Sequence, residues 1–393
     1  MSSASAIEIE LRYDYDTSGF FNQPGAKEAI RECADYFENI LVDSLDRIDA
    51  RATGRSQNSW AARPLNPANG VRLNLVDLVV PEDTIIVYLG ARDLGGSTTG
   101  EASTGISYGG FNSFVDTVMS RGQPGALASP ATDYGPWGGS IAFDTKRSNG
   151  TTRAWNFSTT DTDGSKTDFV GVALHELGHI LGIGFSASFK DLAPMGVFNG
   201  AASEEANGGT KPWVDPFQAH WAGSSPGPYI SPSYGSFGTP HGAPQRSLMS
   251  AVSLVGLPDL AVFTDLDIAG LIDIGWEVVL PPKKMGLEFM PNGDLLITIP
   301  TTSNYTYRIQ RGTLVTPFVN ISGPIPGDGY LAFFPDMNPP PTQGFYRYSV
   351  SSSVAASANL TEQVVGPEIY RTGSSFQVPK GCCPCPLDEA ESE

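Results

Sequence analysis

Apolar and polar positions follow two different periods along this chain. In IEIELRY (7–13) apolar and charged residues alternate, as in a half-buried strand. DYDTSGFFN then reads as a turn, and GAKEAIRECADYFENILVDSL (25–45) carries apolar residues at helical spacing, which predicts the first long helix. DTIIVYLGARDL (83–94) is a continuous apolar run and predicts a central strand. The Gly- and Ser-rich stretch 95–110 predicts a loop, FNSFVDTVMSRG (111–122) a short helix or edge element, and GGSIAFDT (138–145) a short strand. TDFVGVALHELGHILGIG (167–184) is apolar nearly all round, which describes a buried helix. From 185 to 260 the pattern is irregular and rich in Gly, Pro and Ser, too long for an ordinary connector. TDLDIAGLIDIGWEV (264–278) returns to helix, with Thr264 or Asp265 as N-cap and Gly275 as stop.

Two prolines at 281–282 and the lysine pair after them mark a boundary. Beyond it, GLEFMPNGDLLITIPTTSNYTYRIQRG, GYLAFF and GFYRYSV alternate strand and turn signals. The expected organisation is a first domain over 1–280, a small β-domain over 281–351 and a flexible tail over 352–393. The expected class is α+β: a mixed twisted sheet, with the long N-terminal helix and the 167–184 helix against it.

Composition narrows the function classes. The 393 residues are 40% hydrophobic, enough for a sizeable core, and carry a net charge of −18. Such a charge repels a phosphate backbone or an anionic bilayer, so nucleic acid and acidic membranes are excluded as expected partners. No run of about 18 apolar residues predicts a membrane-spanning helix. Cys33 stands alone, and Cys382, Cys383 and Cys385 crowd the tail, which is no disulfide framework. The opening MSSASAIEIELRYDYD lacks the basic and then apolar regions of a signal peptide.

The chemistry concentrates in HELGH. On a helix His175 and His179 share one face and can offer two imidazoles to one ion. A catalytic zinc takes three protein ligands and keeps one position open. Glu176, one step round the helix, is placed as general base for a water beside the metal. Two of only four histidines in the chain fall into this pattern, on an apolar helix where unpaired polar groups are costly. Glycine at 182 lets the chain leave the helix sharply and return a further ligand.

HELGHILG followed by a downstream methionine resembles the metzincin zinc peptidases, although Phe185 stands where that family has its third histidine. Met249 in RSLMSA resembles the Met-turn methionine, and the leishmanolysin-like branch has an insertion between the glycine and the third histidine. ALHELGHILGIG, AHWA and TDLDIAGLIDIGWEV are similar to motifs of secreted bacterial metzincin-like peptidases, as are YDYDTSGFF, RGQPGAL and DYGPWGGSIAFD. The resemblance covers roughly residues 7–280. It implies a zinc endopeptidase acting on protein or peptide outside the cell. His175, His179 and His220 would hold the zinc, Glu176 would be base and then proton donor, and Met249 would form the floor. His241 is the rival third ligand, and Glu204 or Glu205 a further one. GGSIAFDT resembles the strand that lines the cleft and pairs with substrate. No tyrosine stands two residues after the methionine, where Ala251 lies.

Other readings stay open beside this one. DYDTSG and DTDGSKTD have the D-x-D spacing of Ca2+ loops but lack the glutamate of an EF-hand loop, and aspartates in turns also serve as turn formers. CCPC is an exposed tail or, alternatively, a source of a thiol that plugs the metal. The β-domain has no catalytic constellation, which suits adhesion or substrate binding. The rival class for the whole chain is a non-catalytic zinc-binding or adhesive surface protein, against which the intact Glu176 argues.

Overall fold

In the computed structural model, residues 7–52, 57–158, 163–207, 209–222, 230–231, 245–250, 263–278, 285–301, 305–312, 317–327, 331–340, 343–352 and 363–371 are described. The chain is α+β, a few helices set among several small sheets. It begins with β1 (Glu8–Arg12), α1 (Ala26–Glu38), β2 (Ser59–Ala62), β3 (Leu75–Val76) and β4 (Thr84–Arg92). β5 (Gly100–Ser103), β6 (Ile106–Gly109), α2 (Asn112–Ser120), β7 (Gly138–Asp144), β8 (Trp155–Asn156) and β9 (Thr167–Asp168) follow. Next come α3 (Phe169–Ile180), α4 (Ala187–Leu192), α5 (Ala201–Ala206), β10 (Trp213–Val214) and β11 (Trp221–Ala222). β12 (Ile230–Ser231), β13 (Gln245–Arg246) and α6 (Asp265–Asp273) complete this part.

The main sheet has the order β1-β4-β7-β5, with β1, β4 and β7 parallel and β5 antiparallel. Strand β4 shows why its sequence is apolar throughout. Ile85, Val87 and Leu89 face one core with α1 and α3, while Ile86 and Tyr88 face a second core with Trp60, Phe114 and Trp137. The second core is capped by the small sheet β3-β2-β6 and by α2.

A buried cation ties these layers together. Arg121, at φ 50° on the C-cap of α2, is fully buried without a carboxylate contact. Its guanidinium instead donates to four carbonyls, those of Asp46, Pro81, Thr84 and Pro136, at 2.7–2.9 Å. Burial draws its pKa down to about 10, and it remains charged at neutral pH.

Two predictions from periodicity need correction. The stretch 95–110 is not only loop: it holds β5 and β6, two four-residue strands, GEAS and ISYG, too short for a clear apolar pattern but paired through backbone. As a result GGSIAFDT is not an edge strand. β7 is paired with β4 on one side and β5 on the other, so it has no free backbone for a peptide. The first helix also stops at Glu38 rather than continuing to 45, because Leu41 pairs with Val278 and Ile40, Leu41 and Leu45 join the core as irregular chain.

The C-terminal β-unit comprises β14 (Gly286–Phe289), β15 (Leu295–Pro300), β16 (Tyr305–Gly312), β17 (Val319–Asn320), β18 (Ile325–Pro326), β19 (Leu331–Asp336), β20 (Gln343–Ser352) and β21 (Gln363–Arg371). The sheet β14-β15-β19 and the sheet centred on β16 and β20 share one core built from Leu295, Ile297, Ile299, Tyr307, Ile309, Tyr346 and Tyr348. Because β21 pairs along β20, this unit includes residues up to Arg371, beyond the boundary at 351; residues 372–393 of the expected tail lie outside the described residues. Among the described residues no helix is long and apolar enough to cross a membrane.

The seam between Leu41 and Val278 contains a titrating group. Asp43 accepts from the Glu277 N–H at 3.0 Å, and burial, with Glu277 and Asp133 nearby, pushes its carboxyl up to about 7. A carboxyl whose folded pKa is raised contributes stability that is full below its unfolded value near 3.8 and is lost as pH rises through about 7. Wild type should therefore gain on Asp43→Asn as pH falls from 8 to 5 in urea unfolding, with an upper bound of about 3 kcal/mol. A stability difference between the two proteins that does not change with pH would contradict this placement.

Candidate metal centre

α3 is held at its start by Asp168, whose side chain accepts the Gly171 N–H at 3.2 Å. One face of the helix then presents His175 and His179, and the chain leaves it at Gly182, φ 115°. A β-carbon at Gly182 would lie 2.7 Å from the Tyr134 ring, so the turn needs glycine both for space and for its dihedral. The insertion follows as α4, α5 and β10, and returns through the turn 215–219 to His220. Gly184 abuts this returning chain, its β-carbon position only 2.4 Å from the Ala219 carbonyl.

The three imidazoles converge. His179 Nε2 lies 3.1 Å from His175 Nε2 and 3.2 Å from His220 Nε2, and the three ligand atoms all fall within 4.8 Å of one another. Each ring's other nitrogen is already committed. His175 Nδ1 donates to the Leu248 carbonyl at 2.7 Å, His179 Nδ1 to the Ile183 carbonyl at 2.8 Å, and His220 Nδ1 to Asp215 Oδ2 at 2.9 Å. All three partners only accept, so the proton sits on Nδ1 in each ring and three Nε2 lone pairs face one another.

Lone pairs brought this close repel unless a cation lies between them. Burial draws the pKa of His175 down to about 4 and that of His179 well down, with the neighbouring imidazoles adding to the effect, so protonation does not relieve the repulsion near neutral pH. Zinc bound tetrahedrally by imidazole at 2.0–2.1 Å sets its nitrogens about 3.3 Å apart. The donor set and spacing fit such an ion.

The surroundings fix each ring. Phe185, at the position where the short motif places its ligand, stacks on His179 with centroids 5.0 Å apart and 15° between planes. Met249 lies against the helix at Gly178, where a β-carbon would be 2.6 Å from its sulfur. Asp215 holds His220 and also accepts from the Phe217 and Ala219 N–H groups, which shapes the turn that carries the ligand.

Glu176 is buried and accepts the Ala102 N–H from β5. Burial pushes its carboxyl up to about 8, opposed by that N–H and reinforced by Glu101. Gly100 leaves room for the contact, since a β-carbon there would sit 2.6 Å from Glu176 Oε1. Comparison of the chain with protein-family models, curated proteins and solved structures finds no match.

Sequence reasoning thus named residues that the fold brings together: His175, His179 and His220, with Glu176 and Met249 around them. His241, Ala251 and the three tail cysteines lie outside the described residues. Glu204 and Glu205 belong to α5 and are not part of the three-histidine group. Of the Asp-rich turns, Asp16 turns both oxygens onto Ser18, Phe20 and Phe21, and Asp163 accepts from Ser165. Sequence reasoning missed Asp215, Gly100 and Asp267. Asp267 could have been suspected from its place three residues after the N-cap Thr264, the spacing of a capping box.

A metal titration checks the ligand set. One zinc per chain is expected, with affinity reduced at least about 100-fold in His220→Ala and unchanged in His241→Ala. Full zinc retention in His220→Ala would remove His220 from the centre.

Proposed function

We propose that the chain is a zinc-dependent endopeptidase with a metzincin-like catalytic domain, secreted as its resemblance implies. The observation that carries this reading is the combination of three converging Nε2 atoms with a buried carboxylate from the helix that bears two of them, held beside β5, the end strand of the main sheet. A purely structural zinc site has no use for that carboxylate.

The edge supplies a place for the substrate. The Thr99 carbonyl accepts the Asp144 N–H at 2.9 Å, so residues 99, 101 and 103 direct their backbone at β7. Gly100 and Ala102 therefore turn their N–H and C=O away from β7, the Ala102 N–H towards the Glu176 carboxylate. At the opposite edge of the sheet, β1 is closed by side chains: Ile9 N–H donates to Glu38 at 2.7 Å, and Arg31 donates to the Ile9 carbonyl at 3.0 Å. An extended peptide adding to β5 would gain backbone hydrogen bonds at the Gly100 N–H and carbonyl and at the Ala102 carbonyl, and would run beside Glu176. This role falls to β5 in place of the fully paired β7.

The histidines would hold the ion through Nε2, and their Nδ1 partners keep the rings oriented. The zinc supplies Lewis acidity, acidifying water and polarising the scissile carbonyl. Glu176 takes the proton of the attacking water on its carboxylate and returns it to the leaving nitrogen. Its burial makes a protonated state accessible near neutral pH, while an adjacent dication favours the ionised form, so one group can serve in both directions.

Cleavage of a denatured protein distinguishes this reading from a non-catalytic zinc-binding or adhesive protein. Glu176→Ala should keep its zinc and lose about 100-fold or more in kcat/KM. Equal cleavage by wild type and Glu176→Ala would sink the mechanism, and a zinc-loaded wild type without cleavage would favour the adhesive alternative.

A further inference from the structure

The carboxylate of Asp267 reaches two of the three histidines by separate routes. It is fully buried, and six donors point at it. Its Oδ1 accepts from Ser247 Oγ at 2.5 Å, the Met249 N–H at 3.1 Å and the Trp221 indole N–H at 3.0 Å. Its Oδ2 accepts from the Leu248 N–H at 2.9 Å, and from the Thr264 N–H and hydroxyl at 2.8 and 2.7 Å. One route runs through Leu248, whose carbonyl holds His175 Nδ1. The other runs through Trp221, the residue directly after His220.

Trp221 is built into this route. It is fully buried, and its rings pack on Phe189 and Phe198 of the insertion, with centroids 5.6 and 5.0 Å away. Its N–H donates to the Met249 carbonyl at 2.9 Å. On α6, a β-carbon at Gly270 would lie 2.9 Å from the indole, so glycine is what admits the ring. The indole spans from the strand carrying the third ligand to the helix that also fixes the turn under the metal.

We infer that Trp221 is a positioning residue for the metal centre, with its indole N–H on Asp267 keeping His220 in register with His175 and His179. The inference rests on the zinc reading above but not on peptidase activity. Asp215 orients the His220 ring and donates its N–H to the His220 carbonyl at 2.8 Å, and Trp221 ties the next residue to α6. Without the indole bond the segment carrying His220 loses its direct tie to α6 and keeps its pairing with β10, its backbone contact to Met249 and its contacts to Asp215, while His175 keeps its own route through Leu248.

The test is zinc affinity of the full chain, measured by competition with a chromogenic chelator, for wild type, Trp221→Phe and Ser247→Ala. Trp221→Phe keeps an aromatic ring and loses one donor to Asp267 Oδ1. Ser247→Ala removes a donor from the same oxygen without touching a ligand-bearing strand. The expected result is zinc affinity lower by about 10-fold or more, and faster zinc release, in Trp221→Phe only. Thermal midpoints of the zinc-free proteins separate this from general loosening. Unchanged affinity in Trp221→Phe, or equal losses in the two variants, would overturn the proposal. Absence of zinc binding by wild type would overturn the zinc reading itself, and wild-type zinc binding without peptide cleavage would leave this inference standing.

Discussion

Three imidazole lone pairs aimed at one point, each with its ring's proton committed to an acceptor on the far side, form the constraint on which the rest of the first domain depends. The acceptors are of different kinds: a carbonyl of the turn holding Met249, a carbonyl one turn past the end of α3, and a carboxylate five residues before the ligand. Each belongs to a segment that would be free to move if it were not fixed in turn. Several of the described segments between 182 and 267 serve to fix them.

That fixing is done by a few buried polar groups. Asp267 collects the turn at 247–249, β11 and the cap of α6. Asp273, at the far end of the same helix, accepts the N–H groups of Ala202 and Ser203 and so holds α5 of the insertion. Arg121 plays the corresponding part among the strand connections on the other side of the sheet. In each case one charged group satisfies several backbone groups that regular structure leaves unpaired, an economy suited to a chain with long irregular segments.

The periodic part of the fold was legible in the sequence. The alternation of 7–13, the apolar run at 83–94 and the apolar helix at 167–184 each match an observed element, because burial on one or both faces leaves a mark at period 2 or 3.6. The pairing of His175 with His179 was legible too, since helical spacing puts them together without any tertiary knowledge. What could not be read depends on pairing rather than pattern. β5 has the sequence GEAS, with only Ala102 apolar, and only its register with β7 makes it the edge and β7 an interior strand. Asp215 and Asp267 look like ordinary turn and cap residues until the chain is folded, because their partners lie on segments brought in from elsewhere. Phe185 shows both sides: its identity announced that the third ligand had moved, and only the structure shows its ring stacked on His179.

The most direct test of this centre is X-ray absorption at the zinc edge of the purified full-length chain. The account predicts a nitrogen and oxygen shell near about 2.0–2.1 Å, with outer-shell scattering from three imidazoles and no sulfur. A sulfur shell near about 2.3 Å, as Cys382, Cys383 or Cys385 would give, or scattering from only two imidazoles, would contradict it.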